Sequence, residues 1–107
     1  MIHIELVKSN ESIQSIRITG HAHSAHKGED LVCAAISSIA TGALNGLEAI
    51  NASAVDLIYQ EKPEALIYIK VRFFDPKIEQ ALQFLLIQLK TVEEAQSEYI
   101  HIQEVSV

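Results

Sequence analysis

Between positions 75 and 95 the residues Ile78, Ala81, Leu82, Leu85, Leu86, Leu89, Val92 and Ala95 recur three and four apart. On a helix they form a broad apolar stripe that leaves water only by packing against a second apolar surface. Asp75 and Pro76 supply the N-cap and first-turn signature of that helix. The surface it needs is written in the alternating stretches. Ile2, Ile4 and Leu6 alternate with His3 and Glu5, and Ile13, Ile16 and Ile18 repeat the pattern after the polar turn Lys8-Ser9-Asn10-Glu11-Ser12. Both read as strands of an antiparallel hairpin. Two more strands are predicted near residues 55–59 and 66–73, turned by Glu61-Lys62-Pro63-Glu64, and a last one at 99–105.

A first helix is predicted from Asp30, as N-cap, to about Ile50, with Leu31, Ala35, Ile39, Leu44 and Leu47 along its apolar side. Much of its remaining surface is small: Ala34, Ser37, Ala40, Thr41, Gly42, Asn45 and Gly46 would let it lie close against a neighbour. The order β-β-α-β-β-α-β predicts an α+β fold, one domain over residues 1–107, with two helices on a mixed or antiparallel sheet. A chain of 107 residues can remove roughly two-thirds of its unfolded surface from water, so one core suffices without metal or disulfide staples.

Gly20 to Asp30 breaks all periodicity: Gly-His-Ala-His-Ser-Ala-His-Lys-Gly-Glu-Asp reads as a surface loop with three histidines. Cys33 follows it. As the only cysteine it cannot close an intrachain disulfide, which fits a reducing compartment. With Asp30 as N-cap, Cys33 falls at the third helical position, where unpaired N–H groups and the helix dipole favour thiolate over thiol and can hold an oxyanion. The alternative is a small core residue among Val32, Ala34 and Ala35. His21 immediately follows the second strand, twelve residues before Cys33, and Gly20 and Gly28 would let the chain turn back so that a Cys–His pair is feasible. His23 and His26 are either solvated loop residues or, with Cys33, zinc ligands, although the spacing matches no standard zinc module. For Asp30 capping is the default and orienting His21 a secondary role. Ser37 lies one turn beyond Cys33 and either faces the same site or bonds within its own helix.

Eight Lys and Arg against fourteen Asp and Glu give a net charge of −6, and no basic run occurs, which disfavours nucleic-acid binding. A basic protein or peptide suits this charge better. Wholly apolar runs are only a few residues long, and Met1-Ile2-His3-Ile4-Glu5 has no basic lead-in, so neither a membrane span nor a signal peptide is expected and the protein should stay in the cytoplasm.

Gly20-His21-Ala22, followed by Gly28-Glu29-Asp30-Leu31-Val32-Cys33-Ala34-Ala35-Ile36-Ser37, resembles the G-H-A…G-x-D-[IL]-V-C-A-[AG]-x-S signature of the bacterial ribosomal-processing cysteine protease family. The likeness extends loosely through Leu89-Lys90-Thr91-Val92-Glu93-Glu94. It implies His21 and Cys33 as a catalytic dyad, Asp30 and Ser37 as supporting positions, and a homodimer; no cofactor or metal is expected. The substrate it implies is the N-terminal extension of large-subunit ribosomal protein number twenty-seven, a basic precursor cut after an aromatic residue. His23 and His26 match nothing in the signature. The competing expectation is a non-enzymatic ribosome-associated or assembly module whose loop docks a partner, which would leave Cys33 dispensable.

Overall fold

The computed structural model describes residues 1–20 and 27–107. The chain runs β1 (Ile2–Ser9), β2 (Ser12–Thr19), α1 (Lys27–Asn51), a 3₁₀ turn (Ala52–Ala54), β3 (Val55–Gln60), β4 (Leu66–Val71), α2 (Pro76–Ala95) and β5 (Ile100–Ser106). The expected order therefore holds. The five strands form one sheet in the order β3-β4-β2-β1-β5, antiparallel except for β5, which runs parallel to β1.

Both helices lie on one face, because alternation places Ile2, Ile4, Leu6, Ile16, Ile18, Ile67 and Ile69 there, all essentially without solvent contact. Asn10 and Glu11 turn the first hairpin with φ of 51° and 69°, the left-handed pair that a tight hairpin uses. The register then shifts between Val7 and Lys8, which pair with Ser15 and Ile13. That bulge brings Ile13 onto the buried face although it is an odd number of residues from Ile16. Glu79 of α2 secures it, accepting from the Ile13 N–H at 3.0 Å and from Gln83 at 2.6 Å.

α2 meets the sheet through Ile78, Leu82, Leu85, Leu86 and Leu89, and Asp75 caps it by accepting from the Lys77 and Ile78 N–H groups. Asn51, at the end of α1, donates to Asp75 at 2.7 Å and ties the two helices together. Hydrogen bonds from Asn51 and the backbone hold the Asp75 carboxyl below the usual range.

Several boundaries differ from expectation. α1 starts at Lys27, so Asp30 lies inside its first turn and is not the N-cap. The earlier start comes from Gly28-Glu29-Asp30 continuing the helical backbone rather than closing the loop. Its buried side runs through Val32, Cys33, Ile36, Ala40 and Leu47, while Leu31 is 76% exposed and Ala35 half-buried. The turn that carries Cys33 inward rotates Leu31 outward. β4 ends at Val71, leaving Phe73 and Phe74 exposed in the connection to α2. The segment Glu29–Ala54 is also long and apolar enough to cross a membrane by length and composition, against the expectation that none would be. Small uncharged residues produce that character in place of a long run of bulky ones.

Candidate active site

Cys33 sits on the inward side of α1 in its second turn, 5% exposed, where the helix passes the end of β2. Its thiol donates to the Gly20 carbonyl at 3.8 Å. Gly20 has φ +79°, and a β-carbon there would stand 2.4 Å from the Met1 carbonyl oxygen, so this close strand end requires glycine. Met1 is held in turn. Its ammonium pairs with Glu29 Oε1 at 2.5 Å, and the adjoining Ile2 N–H donates to the Tyr99 carbonyl at 2.8 Å.

Glu29 is the buried carboxylate of this region and precedes Cys33 by one helical turn. Burial pushes the Cys33 thiol above its ordinary value, and the Glu29 carboxylate adds to this. The Met1 ammonium opposes them, and Asp30 raises the thiol further. The expectation of a lowered thiol is therefore not met by the described groups. The reason is position: with α1 beginning at Lys27, Cys33 lies beyond the first turn, where the helix dipole has largely faded and the backbone N–H groups are committed to the helix. The N–H groups of the helix start, expected to hold an oxyanion at Cys33, belong to residues 27–30, three to six residues before it. Along the axis they lie about 4.5 to 9 Å away, at 1.5 Å per residue.

Asp30 is exposed in the first turn, one turn before Cys33, and acts on the thiol through its charge. Ser37 is half-buried one turn after Cys33, and its carbonyl accepts from Thr41 Oγ1 at 2.7 Å. His21, His23 and His26 lie outside the described residues, as does the middle of the expected loop from Gly20 to Asp30. Among the described residues no group of three or more His, Cys, Asp or Glu is placed to hold a metal ion. Glu29 and Met1 went unremarked in the sequence. The signal for Glu29 was a charged residue two positions into a helix start, and for Met1 there was none, because only the parallel pairing of β1 with β5 and its contact with Gly20 bring it here.

A buried cysteine against the end of β2, on a two-layer α+β domain, defines a candidate thiol enzyme, and comparison with known proteins sharpens this. The model of the cysteine protease Prp family matches residues 1–101, and the chain belongs to that family. It is a cysteine protease. The ribosomal processing cysteine protease Prp of Bacillus subtilis is 33% identical over 106 residues, covering 87% of this chain and 88% of that relative. The Staphylococcus aureus protein of the same name is 26% identical over 106 residues, covering 95% and 97%. Among solved structures, a Streptococcus mutans protein superposes with a TM-score of 0.89 at 24% identity, covering 100% of this chain and 96% of that one. The Staphylococcus aureus Prp in complex with a substrate peptide superposes with a TM-score of 0.87 at 24% identity, covering 98% and 100%. These structures share the fold of two helices on a five-stranded mixed sheet.

Proposed function

We propose that the protein removes the N-terminal extension of large-subunit ribosomal protein number twenty-seven, with Cys33 as nucleophile and His21 as general base and acid. One observation carries the assignment of Cys33: the chain belongs to a cysteine protease family and contains a single cysteine. His21 is bonded to Gly20, whose carbonyl receives the Cys33 thiol. Burial and the Glu29 and Asp30 carboxylates push the Cys33 thiol up, so a base that takes the proton at the moment of attack fits this site better than a standing thiolate. His21 takes the Cys33 proton as sulfur bonds to the peptide carbonyl carbon. It gives that proton to the departing amine as the C–N bond breaks, and water then hydrolyses the thioester. Asp30 and Ser37 act as positioning residues one turn to either side of the nucleophile.

The substrate reading is supported by the net charge of −6, which favours a basic precursor, and by the Staphylococcus aureus relative, whose structure holds a substrate peptide. Single-turnover cleavage of a peptide spanning the extension tests it. Cys33→Ser and His21→Gln each abolish cleavage while His23→Gln and His26→Gln retain it. Cleavage by Cys33→Ser, or its loss only in the His23 or His26 variants, overturns the assignment.

We also propose that the protein works in the cytoplasm as a homodimer, joined through the outer faces of the helices. From Leu31 to Leu47, α1 carries no charged residue, and between α1 and α2 a groove of about 750 Å³ is floored by Ser38, Gly42, Ala43 and Gly46. Beside it stand Phe84 and Ile87, 64% and 62% exposed. Groove and ridge lie on the same face, so a two-fold partner presents to each what the other lacks. Sedimentation equilibrium then gives a dimer that Phe84→Glu dissociates. A monomer at micromolar concentration, or binding of the face to lipid vesicles instead, refutes this.

A further inference from the structure

The face of the sheet opposite the helices is open, and across it β1 and β5 place two histidines side by side. His3 and His101 are direct partners in the parallel register, and both are exposed. They line one small pocket of about 170 Å³, together with Glu5, Arg17, Thr19 and Gln103. Neither residue belongs to the proteolytic site, which lies on the helix-covered face, and nothing in the proposed reaction uses them.

We propose that His3 and His101 form a transition-metal site of two imidazoles, taking a borderline divalent ion such as Zn²⁺. Directly opposed residues on neighbouring strands start about 4.8 Å apart. Two metal–nitrogen bonds of about 2.1 Å meeting at 90° to 110° require nitrogens roughly 3.0 to 3.4 Å apart, so the two rings need only lean toward each other. Imidazole suits zinc, copper and nickel. Among the described residues no group of three or more His, Cys, Asp or Glu is placed to hold a metal, so water completes the coordination in the space the pocket leaves. β5 is an edge strand attached to the sheet through β1 alone. An ion held by His3 and His101 staples that edge to its only neighbour, close to the first residue of β1 and its contact with Gly20.

The test separates this site from the histidines at 21, 23 and 26 and stands apart from the assignment of the protease. Tag-free full-length protein carrying His21→Gln, His23→Gln and His26→Gln is titrated with ZnCl₂ by calorimetry at pH 7.5. One Zn²⁺ per chain binds, and adding His3→Gln or His101→Gln weakens binding at least about tenfold. Because both imidazoles serve one ion, adding both substitutions weakens it little more than either alone, whereas two independent one-histidine sites would each lose half the stoichiometry. Zinc also raises the melting temperature of the background protein and not that of the His101→Gln variant. Melting curves in EDTA confirm that each variant is folded, since both side chains are exposed and replaced by a neutral one. Zinc binding that persists in the His3→Gln/His101→Gln variant, or no binding below about 1 mM in the background protein, overturns the site.

Discussion

Replacing Gly20 by Ala and, separately, Gly42 by Ala should change stability in opposite directions, because only Gly20 is required by its backbone conformation and its neighbours. At Gly20 the φ of +79° costs an L-residue about 1–2 kcal/mol. A new β-carbon would also meet the Met1 carbonyl oxygen at 2.4 Å, inside any ordinary contact. Met1 has little room to retreat, with its ammonium on Glu29 and the next N–H on Tyr99. Relief therefore separates the end of β2 from β1, and the total destabilisation is about 2–4 kcal/mol. For a domain of this size that lowers the melting temperature by roughly 10 °C or more. Gly42 sits in the interior of α1 with nothing within 4 Å of its missing β-carbon, so alanine there gains about 0.5–1 kcal/mol from helix propensity. Urea denaturation of both variants at fixed protein concentration measures the difference. Activity adds a second axis, because the Gly20 carbonyl receives the Cys33 thiol: kcat/KM falls in Gly20→Ala and not in Gly42→Ala. A Gly20→Ala protein within 0.5 kcal/mol of wild type, with full activity, would refute the close approach of Met1, Gly20 and Cys33.

Other expectations follow from the same geometry. The rate of iodoacetamide alkylation of Cys33 in the substrate-free protein should titrate above the ordinary thiol value, and Glu29→Gln should move it downward by removing a neighbouring negative charge. The thiol keeps its proton more tightly folded than unfolded, so its contribution to stability is complete below the ordinary thiol range and is lost as pH rises through the folded value. Asp75 behaves oppositely: its lowered carboxyl stabilises above the ordinary carboxylate range and loses that contribution as pH falls, so acid melting curves of wild type and Asp75→Asn should converge at low pH. Glu79→Ala should cost about 1–3 kcal/mol by leaving the Ile13 N–H at the bulge without its acceptor, measured by chemical denaturation, while Glu79→Gln recovers part of it.

The periodicities of 2 and 3.6 specified each strand and helix and their order, because alternation and amphipathic stripes are local properties that any fold must satisfy. The capping of α2 by Asp75 was legible for the same reason: an N-cap acts within three residues. Which strands pair was not. The parallel partnership of β1 with β5, which sets His3 beside His101, joins residues almost a full chain apart. The candidate site divides in the same way. Cys33 and the motif around it could be read along the chain, as could the family resemblance they carry. The start of α1 could not, since Gly28-Glu29-Asp30 fits either a loop end or a helix turn, and that shift of a few residues takes Cys33 out of the dipole's reach and turns it into the core. Burial and the charges of Glu29 and Asp30 then push the thiol up, against the Met1 ammonium. Solvation and electrostatics depend on what surrounds a group in three dimensions, so residue type and spacing singled out the thiol, and only the tertiary structure decided the direction in which its titration is shifted.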